Sequence, residues 1–297
     1  MKKVLGLSVG LGLLLATASP GLAFPSMWDV GAAGAPAFGD ANTLTGVFNQ
    51  FTFDSQTSTI QFDTDGSLDV SVNDIFSDSG NMRVTGLLAP TIIDTEGLNQ
   101  FGGYELTGIW NNVGGYVSSV TGTPTNTQLG LKYTSGTLNF YLDPALNSNF
   151  ANPAGSTPPA GAGGTGFGDG TLVFTLDLID GIGNTFIDFT GNALGNQGSV
   201  DLELQVTYMR PGFWLNAAGI DVTTLNPVLW HFITTDMNID TPSQALGVPN
   251  GALYTAFSNQ NGSALVTVVP EPSTMLLLGG GLLGLGWIGR KKSRNKI

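Results

Sequence analysis

The chain lacks cysteine altogether and has a single histidine, His231, among its 297 residues. Without cysteine there can be no disulfide, no thiolate nucleophile and no cysteine-ligated zinc or iron–sulfur site. One histidine also leaves no two-histidine metal motif. The sequence therefore predicts a protein that is stabilised by packing alone and carries no thiol or zinc chemistry.

Basic residues are scarce in the central region, residues 24–269. This region holds 21 of the 22 acidic residues but only three of the ten basic ones, Arg83, Lys132 and Arg210, so its formal charge is −18. Such a surface repels phosphate backbones, which argues against a nucleic-acid partner. Anionic polymers would be approached only through a bridging cation.

Long helical patterns are missing as well, and short apolar alternations separated by Gly, Thr, Ser and Asn take their place. The clearest runs from Val200 to Tyr208, where every second residue is apolar, as in a strand with one buried and one wet face. The pattern predicts an all-β domain, an antiparallel two-sheet sandwich of jelly-roll type. Strands are predicted at residues 47–53, 60–62, 68–72, 82–88, 104–110, 129–133, 185–189, 200–208, 229–234 and 264–269.

Two local patterns refine this prediction. Asp65-Gly66 predicts a tight β-hairpin turn between the strands at 60–62 and 68–72. The segment 136–143 returns as 170–177 with six of eight positions matched, which is either a repeat or chance convergence of two strands. The Pro-, Gly- and Ala-rich segment 149–170 between these copies is predicted to be a loop.

The amino terminus has the features of a secretory signal peptide. Lys2 and Lys3 precede an apolar run, and Ala23 ends a small-residue cleavage site before Phe24. Residues 1–23 are therefore expected to be removed on export, which leaves residues 24–269 as the secreted acidic domain.

The carboxyl terminus combines three features in residues 270–297: Pro270-Glu271-Pro272, an apolar glycine-rich run, and a basic end. The run of about 15 residues predicts a single transmembrane helix of roughly 22 Å, a marginal span with its basic flank in the cytoplasm. This order of features resembles the PEP-CTERM sorting signal. The resemblance implies an inner-membrane-anchored precursor and cleavage near the Pro-Glu-Pro box by an exosortase, whereas the alternative is an uncut anchor.

Two acidic clusters supply the oxygen ligands that calcium prefers. Asp63, Asp65 and Asp69 form one cluster, and Asp94 and Glu96 form the other. Neither matches an EF-hand, so ordinary turn chemistry on a solvated acidic surface is the alternative to a Ca²⁺ site.

Aromatic residues suggest a second kind of site. Phe213 and Trp214 follow Arg210-Pro211-Gly212 and are the best candidates for an exposed platform that stacks on sugar rings. The alternative is that the tryptophans belong to the core. A two-carboxylate glycoside hydrolase is the weaker enzymatic alternative, since 21 acids always provide some suitable pair.

The central region also resembles the flocculation-associated PEP-CTERM proteins at residues 94–97, 104–107, 138–144 and 212–214. That resemblance implies a role in aggregation within exopolysaccharide and carries over no catalytic residue. We therefore expect a non-enzymatic protein of the cell surface or extracellular matrix, with exosortase, the inner membrane and surface polysaccharide as partners. A carbohydrate-binding, lectin-like module is the alternative.

Overall fold

A computed structural model describes residues 25–67, 69–123, 125–150, 164–189, 196–224, 228–239, 243–244 and 252–268. The predicted signal peptide with Ala23 and the tail with Pro270, Glu271 and Pro272 lie outside these residues. Most of the described residues lie in β-strands and very few lie in helices, so the predicted all-β class is confirmed. The strands are β1 (Ser26–Trp28), β2 (Gln50–Phe62), β3 (Ile75–Leu88), β4 (Glu105–Thr123), β5 (Asn126–Asp143), β6 (Asn149–Phe150), β7 (Gly164–Thr165), β8 (Thr171–Ile187), β9 (Gln197–Met209), β10 (Trp214–Asn216), β11 (Val228–Ile239), β12 (Ser243–Gln244) and β13 (Ala252–Val268).

The two-sheet sandwich is not confirmed, because the long strands form one closed antiparallel sheet. Their order is β11-β9-β8-β5-β4-β3-β2-β13, and β11 pairs again with β13 to complete the ring. Sequence alternation gives a strand one buried and one wet face in either architecture. It does not reveal whether the buried face meets a second sheet or the inside of the same sheet.

A hairpin forms in the predicted region of the chain, but its second strand is not the predicted one. Strand β2 pairs with β3, whose first residue is Ile75, so the connection is the twelve-residue loop 63–74. Asp74 is fully buried and holds this loop by accepting hydrogen bonds from Thr64 and Ser71. The predicted strand at 68–72 therefore falls within the loop, and its first residue, Leu68, lies outside the described residues.

The two similar segments lie side by side. Strand β5 pairs with β8 in an antiparallel register that sets Phe140 opposite Phe174, and their rings stack with centroids 4.4 Å apart. Leu138, Phe140 and Leu142 on β5 are all buried. Of the loop predicted at 149–170, residues Asn149–Phe150 pair with Gly164–Thr165 and residues 151–163 lie outside the description.

Strand β9 follows its predicted alternation only in part. Val200 and Leu204 are buried, but Tyr208 is 41% exposed. The register against β8 shifts so that Thr207 is an extra residue between paired neighbours. Such a bulge turns the next side chain to the opposite face, which is why Tyr208 faces outward.

The interior of the closed sheet has two halves of different chemistry. The half in which β2 begins is called the aromatic half. It contains Phe51, Phe140, Phe174 and Trp230, all fully buried. The small β1–β10 sheet pairs Trp28 with Trp214 and packs its indoles against this cluster. The other half, called the polar half, is lined by Ser55, Thr57, Thr59, Gln61, Asp78, Tyr133, Ser258 and Gln260 together with apolar residues.

The helical content of the described chain is limited to two short 3-10 turns, Val30–Ala33 and Val222–Thr224. Within the part of the chain that the structure describes, no helix is long and apolar enough to cross a membrane. The transmembrane helix predicted for the tail lies outside that part.

Candidate functional site: two acidic clusters

The first cluster joins Asp94 and Glu96 to Asp40, with one carboxylate oxygen of each residue within 4.8 Å of the others. Asp94 and Glu96 lie in the loop between β3 and β4, whereas Asp40 lies between β1 and β2. Asp40 was not identifiable from the sequence, because it is 54 positions away from Asp94 and only the tertiary fold brings it close.

Glu96 is the buried member of this cluster, with no exposed surface. Its Oε2 accepts a hydrogen bond from the Phe38 amide at 3.0 Å, but its Oε1 has no hydrogen-bond partner among the described residues. Glu105, another buried glutamate, instead has both oxygens engaged, by the amides of Asn147 and Ser148 and by the Ser148 hydroxyl. An oxygen left without a partner next to two further carboxylates is suited to a cation.

The local backbone fixes Glu96 in this position. Glu96 has a left-handed backbone with φ of 51°, and Gly97 follows with φ of 74°. A Cβ on Gly97 would lie 2.5 Å from the Phe38 ring, so no larger residue fits without displacing Phe38. Glycine at 97 thus allows the turn and the packing that hold Glu96 inward.

The electrostatics of the cluster favour a bound cation. Burial raises the pKa of Glu96, and the neighbouring carboxylates of Asp94 and Asp40 raise it further. A divalent cation would offset both costs. Four of the six carboxylate oxygens already accept hydrogen bonds from Phe38, Asn42 and Glu96, so they would coordinate the cation through their remaining lone pairs.

The second cluster is satisfied by its own loop. It contains Asp63 and Asp65, as predicted, together with Asp74. Asp63 accepts from the amides of Asp65 and Gly66, and Asp65 accepts from the Ser67 amide and the Ser71 hydroxyl. The hydrogen bonds from Ser67 and Ser71 lower the pKa of Asp65. Turn chemistry therefore accounts for this cluster without a metal.

Asp69 does not join either cluster. It is exposed, and its main-chain carbonyl accepts from the Ser67 hydroxyl. The prediction of Asp69 as a ligand rested on its sequence distance from Asp65, whereas the residue that completes the second cluster is Asp74. Asp74 lies next to Asn73, whose positive φ of 75° turns the chain into β3.

The profile of the PEP-CTERM protein-sorting motif matches residues 268–292. The chain carries a PEP-CTERM sorting signal. This signal implies an exported, membrane-anchored precursor that an exosortase processes. Strand β13 ends at Val268, so the closed sheet leads directly into the motif. No curated protein and no solved structure matches the chain.

The expected aromatic platform is not exposed. Phe213 and Trp214 are both fully buried, and Trp28 stacks on Phe213 with ring centroids 5.8 Å apart. The prediction of an exposed sugar-stacking surface at these residues is wrong, because β10 turns them onto the aromatic half. The core alternative holds for Trp28, Trp110, Trp214 and Trp230.

Proposed function

We propose that this exosortase substrate acts at the cell surface or in the extracellular matrix as an adhesion or aggregation component that depends on calcium. The main support is that Glu96 has a carboxylate oxygen within 4.8 Å of carboxylate oxygens of Asp40 and Asp94, and that its buried Oε1 has no hydrogen-bond partner among the described residues. The proposal also rests on the charge of −18 across residues 24–269, which opposes self-association and contact with acidic polysaccharide.

Calcium differs from monovalent salt in how it offsets this repulsion. Monovalent salt only screens, over about 8 to 10 Å near physiological strength, whereas calcium coordinates carboxylates and can join two surfaces. A filled Asp40–Asp94–Glu96 site would also neutralise three clustered charges at the end of the domain from which the tail departs. Association should therefore respond to calcium beyond the effect of ionic strength.

Light scattering of the exported protein, with and without matrix polysaccharide, tests the proposal in calcium and sodium chloride of equal ionic strength. We expect association in calcium only. The double variant Asp94→Asn with Glu96→Gln should lose it, while the matched variant Asp63→Asn with Asp65→Asn should keep it, because the second cluster is satisfied by its own loop. Equal association in the two salts would reduce the effect to screening and contradict a specific calcium role.

Processing is tested separately by intact mass. The protein recovered from the cell surface should begin near Phe24, after Ala23, and end near the Pro-Glu-Pro box. Replacement of Pro270, Glu271 and Pro272 together should leave the protein in the inner membrane. Surface protein that still carries Lys296 and Ile297 would show that the tail is not cut.

A further inference from the structure

The polar half of the closed sheet contains a cavity that is lined by no residue of the two acidic clusters. Two adjoining spaces of about 70 Å³ and about 50 Å³ share Thr57, Asp78, Tyr133 and Gln260 in their walls. An apolar cavity of roughly 150 Å³ binds benzene, which has six non-hydrogen atoms. Together the two spaces therefore suit a molecule of about six to eight non-hydrogen atoms.

Two polar groups in the wall of the larger space have no partner. The Gln61 amide nitrogen and the Thr185 hydroxyl form no hydrogen bond among the described residues, although the two residues are only 8% and 5% exposed. A buried polar group without a partner destabilises the fold. A ligand that pairs with these two groups would explain why the residues are kept despite this cost in stability.

The other polar groups nearby define the charge that the cavity accepts. Asp78 accepts hydrogen bonds from the Thr59 hydroxyl at 2.6 Å and the Tyr133 hydroxyl at 3.0 Å, and burial raises its pKa to about 6. The described wall contains no Lys, Arg or His. An anionic ligand would therefore meet a carboxylate and no compensating positive charge, so an uncharged molecule is favoured.

The remaining wall is apolar, which argues against water as the sole content. Val117, Leu129, Ile187, Met237 and Ile239 line the larger space. Water against these side chains would find no hydrogen-bond partner, whereas an apolar body packs against them. The single carboxylate in the wall, Asp78, also leaves the described cavity without the second acid that a glycoside hydrolase requires.

We propose that this cavity binds a small uncharged organic molecule of about six to eight non-hydrogen atoms. Its hydroxyl or carbonyl group pairs with Gln61 and Thr185, and its apolar body packs against Val117, Leu129 and Met237. This binding activity is independent of the calcium-dependent association, which uses the opposite end of the domain.

The probe that we would use is 4-fluorophenol, observed by fluorine NMR in a titration of the exported protein. We expect saturable binding to the wild type. Gln61→Leu and Thr185→Val should each weaken binding about three- to tenfold, since each removes one hydrogen bond to the ligand. The same two variants should unfold at a higher temperature than the wild type without ligand, because they remove an unpaired buried group. A merely structural role would lower that temperature instead.

Thr52→Val is the matched control, because Thr52 lies on the same strand but faces outward between Phe51 and Phe53. It should bind the probe as the wild type does. Fluorobenzene, which lacks the hydroxyl, and 4-fluorobenzoate, which is anionic, should bind more weakly than 4-fluorophenol. The proposal is overturned if the wild type shows no saturable binding, if the Gln61 and Thr185 variants bind unchanged, or if 4-fluorobenzoate binds as well as 4-fluorophenol.

Discussion

The two halves of the closed sheet differ although the same strands build both. Along β2 the inward residues change from Phe51 and Phe53 to Ser55, Thr57 and Gln61. In the aromatic half, rings from several strands fill the space and contact each other, with Phe140 and Phe174 stacked at 4.4 Å. In the polar half, the walls leave a cavity and two unpaired polar groups. The contrast indicates that packing, and with it stability, is concentrated at one end of the strands, whereas the space proposed for binding lies at the other end.

Unpaired polar groups occur in both halves, but their surroundings differ. The indole nitrogens of Trp28, Trp214 and Trp230 are buried and form no hydrogen bond among the described residues. Trp214 and Trp230 meet edge to face at 4.7 Å, an arrangement in which a ring face attracts the positive edge of its neighbour. In the aromatic half, neighbouring rings therefore surround the unpaired indoles, whereas Gln61 and Thr185 border open space.

The largest effect should come from opening the aromatic half. Phe140→Ala removes a fully buried ring that contacts Phe51, Phe174, Trp230 and Phe232, so we expect a loss of about 3 to 5 kcal/mol in the free energy of unfolding. Thr185→Ala in the polar half is the comparison and should cost about 1 kcal/mol or less, because its hydroxyl has no hydrogen bond to lose among the described residues. Urea unfolding of both variants measures this, and equal losses would remove the distinction between the two halves.

A smaller effect should come from the charge in the polar half. The pKa of Asp78 rises from its ordinary value of 3.8 to about 6 on folding, because the carboxyl is buried. Between these values the unfolded chain has released a proton that the folded protein keeps, so raising the pH favours unfolding. Stability attributable to Asp78 is therefore highest below pH 4, falls by up to about 3 kcal/mol towards pH 6, and is level above it.

Asp78→Asn should remove this slope, because asparagine cannot ionise and the hydroxyls of Thr59 and Tyr133 can still pair with it. The difference in unfolding free energy between wild type and variant, measured from pH 3.5 to 7.5, isolates Asp78 from the other acids. We expect the variant to gain relative to the wild type as the pH rises. A difference that stays constant with pH would show that Asp78 ionises as readily in the folded protein as in the unfolded chain.

The smallest effect concerns the acidic loop at the aromatic end. Calcium at ten times its dissociation constant should stabilise the protein by about 1.4 kcal/mol, if it binds only the folded state. Glu96→Gln should abolish this gain, whereas Asp65→Asn at the other end should preserve it. Thermal unfolding with and without calcium measures both, and a gain that survives in Glu96→Gln but not in Asp65→Asn would reverse the assignment of the two clusters.

Sequence patterns predicted those features that depend on neighbours along the chain. Alternation gave the all-β class and the buried faces of β5 and β9, since side chains on a strand change face at every residue. It failed at Tyr208, where a bulge shifts the register, and at residues 68–72, where Asp74 closes a loop instead of a tight turn. Both failures arise from hydrogen bonds to groups that no local pattern specifies.

The candidate sites depended more on distant contacts. Asp94 and Glu96 were identifiable as potential ligands from their residue type, but Asp40 was not. The sequence left open whether the aromatic residues form an exposed platform or belong to the core, because an aromatic side chain suits both; the structure buries Phe213 and Trp214. The cavity gave no signal in the sequence, because Ser, Thr and Gln at inward positions look like ordinary polar alternation.

The sequence by itself determined the sorting signal, the absence of thiol chemistry, the acidic charge and the β-structure, since each follows from composition or local order. Only the tertiary structure decided that the sheet closes on itself, that one acidic cluster leaves a buried oxygen unpaired while the other satisfies its own, and that the interior is divided into two halves. The physical reason is that these properties depend on which strands pair and which side chains meet across the interior. Those pairings are set by the packing of the whole chain.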